Sequence, residues 1–285
     1  MNKKTILITG SRGFVGSSLV KKLIDQNEYK IIEFDIQDGD VATHKFKLEK
    51  IDHVIHLAGK TYVPDSWENP YSFYKTNFLG TANILELCRE HKASITHISA
   101  YVYGEPNYLP INEEHPLNGA NPYMHSKINA ESVCRFYAEN YNVPTTIIRP
   151  FNLYGPNQSD HFLIPKIIKQ VLSEDDVISV FSLSSKRDYI YIDDMIDALI
   201  KCLELKSDYQ AINIGSGISY STKEIIDFCQ NIAGTNKKVV SENIERKNEI
   251  LDVVADVSKA SEILLWKPHT SIEKGLTNII NHGRL

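Results

Sequence analysis

Residues 5–16 read TILITGSRGFVG, an apolar β-rich run that breaks directly into the spacing G-x-x-G-x-x-G. The pattern predicts a strand, a tight turn and a helix, and each glycine has its own reason. Gly10 permits the turn, Gly13 lets the backbone approach a phosphate, and Gly16 lets the helix pack closely on the strand. The free amides and positive dipole of the helix N-terminus, where Phe14 and Val15 stand, suit a pyrophosphate. A dinucleotide site follows, with Gly10, Gly13, Phe14, Val15 and Gly16 as its candidates. Asp35 closes the next apolar run, 19 residues beyond Gly16. A carboxylate there accepts hydrogen bonds from ribose hydroxyls and repels a 2′-phosphate, which favours NAD over NADP. Arg12, a cation in the same turn, is a further candidate for phosphate contact.

Outward from this stretch, short apolar runs at 5–8, 31–34, 54–57, 95–99 and 145–148 alternate with helix-period segments at 14–24, 71–91 and 123–141. Such alternation predicts βα units, hence an α/β fold with a doubly wound parallel sheet of the Rossmann type. In the segment 76–89, Phe78, Ala82, Leu85 and Cys88 recur at spacings of three and four and predict one buried stripe. After Pro150 the pattern loosens. We expect a dinucleotide-binding domain over 1–152, with 186–215 returning to it. A smaller C-terminal substrate-binding domain is expected over 153–185 and 216–285.

Composition narrows the function classes. With 285 residues, 42% hydrophobic and 24% charged, the chain has a globular balance and enough length for a sizeable core. A net charge of -5 argues against nucleic acid as a partner. The four cysteines, Cys88, Cys134, Cys202 and Cys229, form no CxxC pair, which fits reduced thiols and no structural metal. His53 and His56 lie three apart on one strand and make poor joint metal ligands. The apolar run Ile6 to Ile8 is too short for a signal core or a membrane span, so a cytoplasmic protein with no membrane partner is expected.

The catalytic signal is Tyr123 with Lys127, four apart at the start of a predicted helix and therefore on one face. An ammonium beside a phenol stabilises the phenolate and lowers its pKa from about 10 toward working pH. Ser99 ends the strand before this helix, and strand ends in doubly wound sheets face the ligand crevice. Its hydroxyl can bond the same substrate oxygen. Ser99, Tyr123 and Lys127 are the candidate catalytic set.

With these residues in place, the chain resembles the extended short-chain dehydrogenase/reductase family, specifically its nucleotide-sugar epimerases, dehydratases and reductases. TGSRGFVG, HLAG at 56–59, VPDSWENPYSFYKTNFLGT, SAYVYG, YMHSK, RPFNLYGPNQ, KRDYIYIDD, INIGSG and WKP fall in the family's order. The resemblance implies NAD as cofactor and a nucleotide-diphosphate sugar as substrate. It implies that Leu57, Ala58 and Gly59 line the cofactor cleft, that Asn77 is a cofactor-side polar contact, and that Asp40 and Val41 meet the adenine. On the substrate side it implies Ser99, Ala100, Tyr101 and Asn152, with Arg187 and Arg246 as phosphate cations and Glu249 on the nucleotide ribose. It further implies a homodimer built from helices around 76–89 and 123–141, and a place in polysaccharide biosynthesis.

Departures from the family pattern sharpen the reading. Dehydratase members carry an Asp-Glu pair immediately after the position of Ser99, where this chain has Ala100 and Tyr101, so a 4,6-dehydratase is disfavoured. Residues 181–185 read FSLSS in place of a glycine-rich turn, Phe162 replaces a usual asparagine, and Val253 occupies a position that controls room beside the sugar. The leading expectation is a 4-epimerase working through a transient 4-keto sugar. Its rivals are a 4-keto-6-deoxy nucleotide-sugar reductase using NAD(P)H and a non-catalytic dinucleotide-binding regulator.

Overall fold

A computed structural model describes residues 3–205, 207–241 and 250–281. In chain order the first half holds β1 (Thr5–Thr9), α1 (Phe14–Gln26), β2 (Lys30–Phe34), β3 (His53–His56), α2 (Val63–Glu68) and α3 (Pro70–Phe73). A π-helical segment, Tyr74–Leu79, runs into α4 (Gly80–His91), followed by β4 (Ser94–Ile98), α5 (Pro122–Tyr141), β5 (Thr145–Pro150) and β6 (Asn152–Tyr154). The second half holds α6 (Leu163–Leu172), β7 (Val177–Val180), β8 (Lys186–Tyr191), α7 (Ile192–Cys202) and β9 (Tyr209–Ile214). Then come β10 (Ser219–Ser221), α8 (Thr222–Ala233), β11 (Lys238–Ser241), α9 (Ser258–Ile263) and α10 (Ile272–Asn281).

Six strands form one parallel sheet in the order β2-β1-β3-β4-β5-β9. Its strands are apolar at consecutive positions because both faces are covered. Ile6 and Ile8 pack into a core shared with Leu19 and Leu23 of α1 and Met195 and Leu199 of α7. Leu7 points to the opposite core, with Ile84, Leu85 and Cys88 of α4 and Cys134 of α5. Each such fully buried aliphatic side chain contributes about 1.5–3 kcal/mol. Strand order reverses between β1 and β3, and the ligand crevice of such a sheet lies at the carboxyl ends of the strands beside that point. The α/β Rossmann expectation is therefore met.

The predicted stripe on 76–89 is met only in its second half. Leu85 and Cys88 are buried, whereas Phe78 and Ala82 are half-buried and Asn77, Thr81 and Ile84 face inward instead. The Gly80 amide bonds the Lys75 carbonyl five residues back, a π turn that adds one residue to the helix phase just before α4.

Beside the large sheet, β10-β8-β6 and β11-β7 form two smaller sheets. Two buried aspartates pin the segments around them. Asp188 of β8 accepts from Ser216 N and Oγ, Gly217 N and Ala255 N at 2.6–3.0 Å. Asp194 of α7 accepts from the amides of His269 and Thr270, while its carbonyl accepts from Trp266 Nε1 at 3.0 Å.

Candidate active site

The glycine turn has the form its spacing predicts. Gly10 sits at φ +72°, and a Cβ on Gly16 would lie 2.0 Å from the Gly10 carbonyl oxygen. Gly13 precedes α1 in extended backbone with no side chain capping the helix, so the first-turn amides are left for a ligand. The Ser11 hydroxyl is buried there without a hydrogen-bond partner. Open helix amides and an unpartnered hydroxyl fit the pyrophosphate of a dinucleotide.

On the adenosine side, Asp35 accepts from the amides of Arg12 and Ile36 at 2.8 and 2.7 Å. The Arg12 guanidinium is turned onto Gln37 at 2.7 Å and Asp38 at 3.5 Å, away from the Asp35 carboxylate. Asp40 takes a hydrogen bond from Lys75 at 2.6 Å and another from the Ala42 amide, and these hold its carboxyl below the usual range. Val41 is buried against Gly80, with its carbonyl accepting from Asn83. Its side chain is thus a core group.

Beneath the cleft runs a polar chain from β1 to α4. Thr81 Oγ1 donates to the Asn77 carbonyl at 2.6 Å, so His56 Nε2 must donate to Thr81 and His56 Nδ1 must accept from Thr9 Oγ1. The imidazole is neutral, in line with burial that pushes its pKa down to about 3. Thr9 Oγ1 in turn accepts from the Ala58 amide at 3.3 Å, and the Leu57 amide donates to the Thr9 carbonyl. Leu57 and Ala58 are fixed at the mouth of β3 by these bonds.

Asn77 is buried and hydrogen-bonded through both its amide oxygen and its amide nitrogen. Its Oδ1 accepts from the Lys60 amide, and its Nδ2 donates to the Lys60 carbonyl and to Ser126 Oγ. Both amide hydrogens serve the 59–60 loop and α5, and Oδ1 keeps a second lone pair.

Lys127 is buried on α5, and its Nζ donates to the Ile98 carbonyl at 2.8 Å. The same nitrogen lies 3.3 Å from where a Cβ on Gly59 would stand, so the glycine makes room for it. Ser99, the next residue after Ile98, has a buried hydroxyl with no partner. An unpartnered buried hydroxyl is costly unless a ligand completes it. Tyr123 stands one turn ahead of Lys127 on α5, its ring held edge-on by Phe73 with centroids 6.3 Å apart. The Asn121 side chain caps this helix by accepting from the Met124 amide.

Burial raises the Tyr123 phenol above its ordinary value and pushes Lys127 down to about 8 against the opposing pull of Glu131 and Cys134. For both groups burial is the leading cause, and it works against the charged form.

Of the substrate-side candidates, Ala100 and Tyr101 follow Ser99 in the chain, and Arg187 lies near enough to Tyr101 to act on its phenol by charge. Ala100 is buried, and Tyr101 donates its hydroxyl to the Gly104 carbonyl, with burial raising its pKa to about 12. Asn152 donates to the Asp188 carbonyl at 3.2 Å. Arg187 donates to the carbonyls of Lys186 and Ile250 at 2.8 and 2.7 Å, so part of its fork is committed to the backbone. Arg246 and Glu249 lie outside the described residues. Among the described residues no group of three or more His, Cys, Asp or Glu could hold a metal ion, and no helix is long and apolar enough to cross a membrane. The sequence reading assigned no role to Thr9, Thr81 or the Asp188 hub; KRDYIYIDD carried the hub, but one sequence does not tell a buried aspartate from a solvated one.

A parallel dinucleotide-binding sheet with Ser99, Tyr123 and Lys127 at its crevice defines the class of nicotinamide-dependent short-chain oxidoreductases. Comparison with known proteins narrows this. The model of the GDP-mannose 4,6 dehydratase family matches residues 24–279. The chain is 33% identical over 301 residues to a putative UDP-glucose 4-epimerase of Methanocaldococcus jannaschii, covering 97% of each. It is 28% identical over 292 residues to a GDP-6-deoxy-D-mannose reductase of Pseudomonas aeruginosa, covering 97% of this chain and 96% of that one. Among solved structures, a UDP-glucuronic acid 4-epimerase from Bacillus cereus in complex with UDP-glucuronic acid and NAD shares 30% identity and superposes with a TM-score of 0.89 over 98% of this chain and 99% of that one. The chain belongs to the GDP-mannose 4,6-dehydratase family, within the extended short-chain dehydrogenases/reductases that act on nucleotide sugars.

Proposed function

We propose that this protein is an NAD-dependent 4-epimerase of a nucleotide-diphosphate hexose. The observation that carries the reading is the buried, unpartnered Ser99 hydroxyl next to the carbonyl that holds Lys127 Nζ. Ser99 and Tyr123 would grip the 4-oxygen of the sugar, Ser99 as donor and Tyr123 as the group that takes and returns its proton. Lys127 would hold the nicotinamide ribose and steady the phenolate. NAD, when bound, supplies the hydride acceptor at C4. Asn152 and Arg187 would anchor the diphosphate, with Arg246 and Glu249 completing the nucleotide end. A tether at that end lets the 4-keto sugar turn over in the pocket without leaving.

The family model is described by a dehydratase, yet Ala100 and Tyr101 bring neither carboxylate to the sugar, and elimination of water needs both an acid and a base. The second reading is a 4-keto-6-deoxy nucleotide-sugar reductase, supported by the Pseudomonas aeruginosa relative. It uses the same three residues and runs the hydride step once.

We further propose two domains: a cofactor domain over 1–152 joined by 186–215, and a substrate domain over 153–185 and 216–285. A homodimer through α4 and α5 is supported by exposed Leu79, Phe136 and Tyr141 on those helices and the π segment before them, and we place it in the cytoplasm. The product would serve polysaccharide biosynthesis.

The experiment is direct. Heat-denatured protein is assayed for released NAD, and native protein is then given UDP- and GDP-hexoses, or a 4-keto-6-deoxy sugar nucleotide with NADH or NADPH. Epimerisation without net cofactor loss supports the first reading. One-for-one NADH or NADPH loss supports the second, and bound NAD with no turnover across the panel favours a regulator.

A further inference from the structure

One buried ion pair stands apart from the rest. Arg149 at the end of β5 meets Glu131 of α5 through Nε at 3.1 Å and Nη2 at 2.6 Å, with side chains 5% and 3% exposed. Every other ion pair among the described residues has at least one side chain more than a third exposed. Glu131 lies one helical turn beyond Lys127 and two beyond Tyr123. On its other side the Arg149 guanidinium lies over the Tyr103 ring at 5.2 Å and donates to the Tyr103 hydroxyl at 2.9 Å. Tyr103 donates to Asn213 Oδ1 on β9 at 2.5 Å, and Asn213 bonds Ile111 O and Glu113 Oε1. Tyr103 belongs to the 99–104 loop that begins at Ser99.

We propose that Glu131 and Arg149 are positioning residues of the catalytic centre: with Tyr103 and Asn213 they lock α5, which carries Tyr123 and Lys127, onto the loop that carries Ser99. This rests on the catalytic reading of those three residues.

Two physical arguments favour it over a merely structural pair. A buried ion pair is a poor stabiliser, and packed apolar side chains of similar volume commonly hold a fold as well or better. What the charges do give is orientation, since the guanidinium fork admits one geometry for the carboxylate and one for the phenol. Glu131 is also the anion facing Lys127. The other titratable groups around that ammonium are His56 of β3 and His97 of β4, both kept neutral by burial, and the Cys134 thiol and Tyr123 phenol on α5, whose pKa values burial raises. Glu131 therefore opposes the burial that strips the lysine of its proton.

Three variants separate the roles. Tyr103→Phe breaks the link to the loop and leaves the charges; kcat should fall about tenfold or more, with KM nearly constant and the alkaline limb of the pH profile unmoved. Glu131→Gln should lower kcat as well and move that limb to lower pH by about one unit. The double variant Glu131→Leu/Arg149→Met should melt no lower than the wild type, keep its NAD, and still lose kcat. A double variant that folds with wild-type kcat, or an unshifted limb in Glu131→Gln together with full activity in Tyr103→Phe, overturns the proposal. A wild type inert on every sugar nucleotide sinks the catalytic reading alone. In that case the lysine is titrated directly by NMR of isotope-labelled protein, and an unchanged Lys127 titration in Glu131→Gln overturns the coupling.

Discussion

Lys127 gives a hydrogen bond to the carbonyl of Ile98, the residue that precedes Ser99, at 2.8 Å. One ammonium thus ties α5 to the end of β4, and burial brings its pKa down to about 8. The lysine is charged below that value and neutral above it. Activity that needs the ammonium is therefore full at neutral pH and falls as pH rises past about 8. Lys127→Met should remove this limb and weaken NAD binding, as read from the pH dependence of kcat/KM and the cofactor content of purified protein. A limb that persists in Lys127→Met assigns the titration to another group.

Tyr123→Phe keeps the ring that packs on Phe73 and deletes the one proton the chemistry exchanges. Turnover should drop by about 10²- to 10⁴-fold while bound NAD stays near the wild-type amount. Undiminished turnover would discard the acid–base role.

Gly13 and Gly16 should separate cleanly. A methyl on Gly16 meets the Gly10 carbonyl oxygen at 2.0 Å and Ser11 backbone at 2.8 Å, atoms that cannot move without opening the turn. Gly16→Ala should cost about 1–3 kcal/mol or more, visible in thermal or denaturant unfolding of cofactor-free protein. A methyl on Gly13 meets only the Gly10 oxygen at 3.3 Å. Gly13→Ala should leave stability nearly intact and lower NAD affinity, by standing where backbone and phosphate approach. Equal stability losses in the two variants would contradict the division of labour.

Three buried histidines set an acid limit on stability. Burial pushes His53 and His56 down to about 3 and His97 well below its ordinary value. His53 bonds Ser94 and Thr96, whereas both ring nitrogens of His97 lack a partner. Each takes up a proton on unfolding once pH drops below about 6.5, so the stability they allow is complete above that pH and is lost as pH falls toward the folded values. The expected slope is about 1.4 kcal/mol per pH unit for each histidine, and His53→Asn should flatten it by one such increment. Denaturant melts taken at successive pH values test this; a flat profile below pH 6 would refute it.

The sheet was legible because its strands are short runs of Ile, Leu and Val set between turn residues, and the glycine spacing placed the crevice. The π turn was not, since a spacing of three and four reads the same whether or not one residue is inserted at Tyr74–Leu79. Ser99, Tyr123 and Lys127 could be named from strand end and helix face, yet the raised phenol of Tyr123 could not, because desolvation depends on neighbours far away in the chain. Glu131 and Arg149 pair across 18 residues and from different elements. In one sequence they read as surface charges. Asn77 shows the same limit: one sequence does not reveal that its side chain bonds the chain's own Lys60 and Ser126.

Cofactor choice should turn on the acids at the end of β2. Asp35 accepts from Arg12 and Ile36 amides, and the Asp35 amide donates to Asp38, whose carboxylate lies 3.5 Å from the Arg12 guanidinium. Two carboxylates therefore repel a 2′-phosphate, and the one cation in the turn is held by Gln37 and Asp38 rather than offered to it. Wild-type protein should prefer NAD to NADP. Asp35→Ala should weaken NAD by the loss of its ribose bonds. Asp35→Ala with Asp38→Ala should also free the Arg12 fork for a phosphate and shift the preference toward NADP by about tenfold or more, an arginine–phosphate contact being a charge-assisted one. Titrations of both dinucleotides against the three proteins decide the point: if the double variant discriminates as the wild type does, selectivity is set outside the β2 turn.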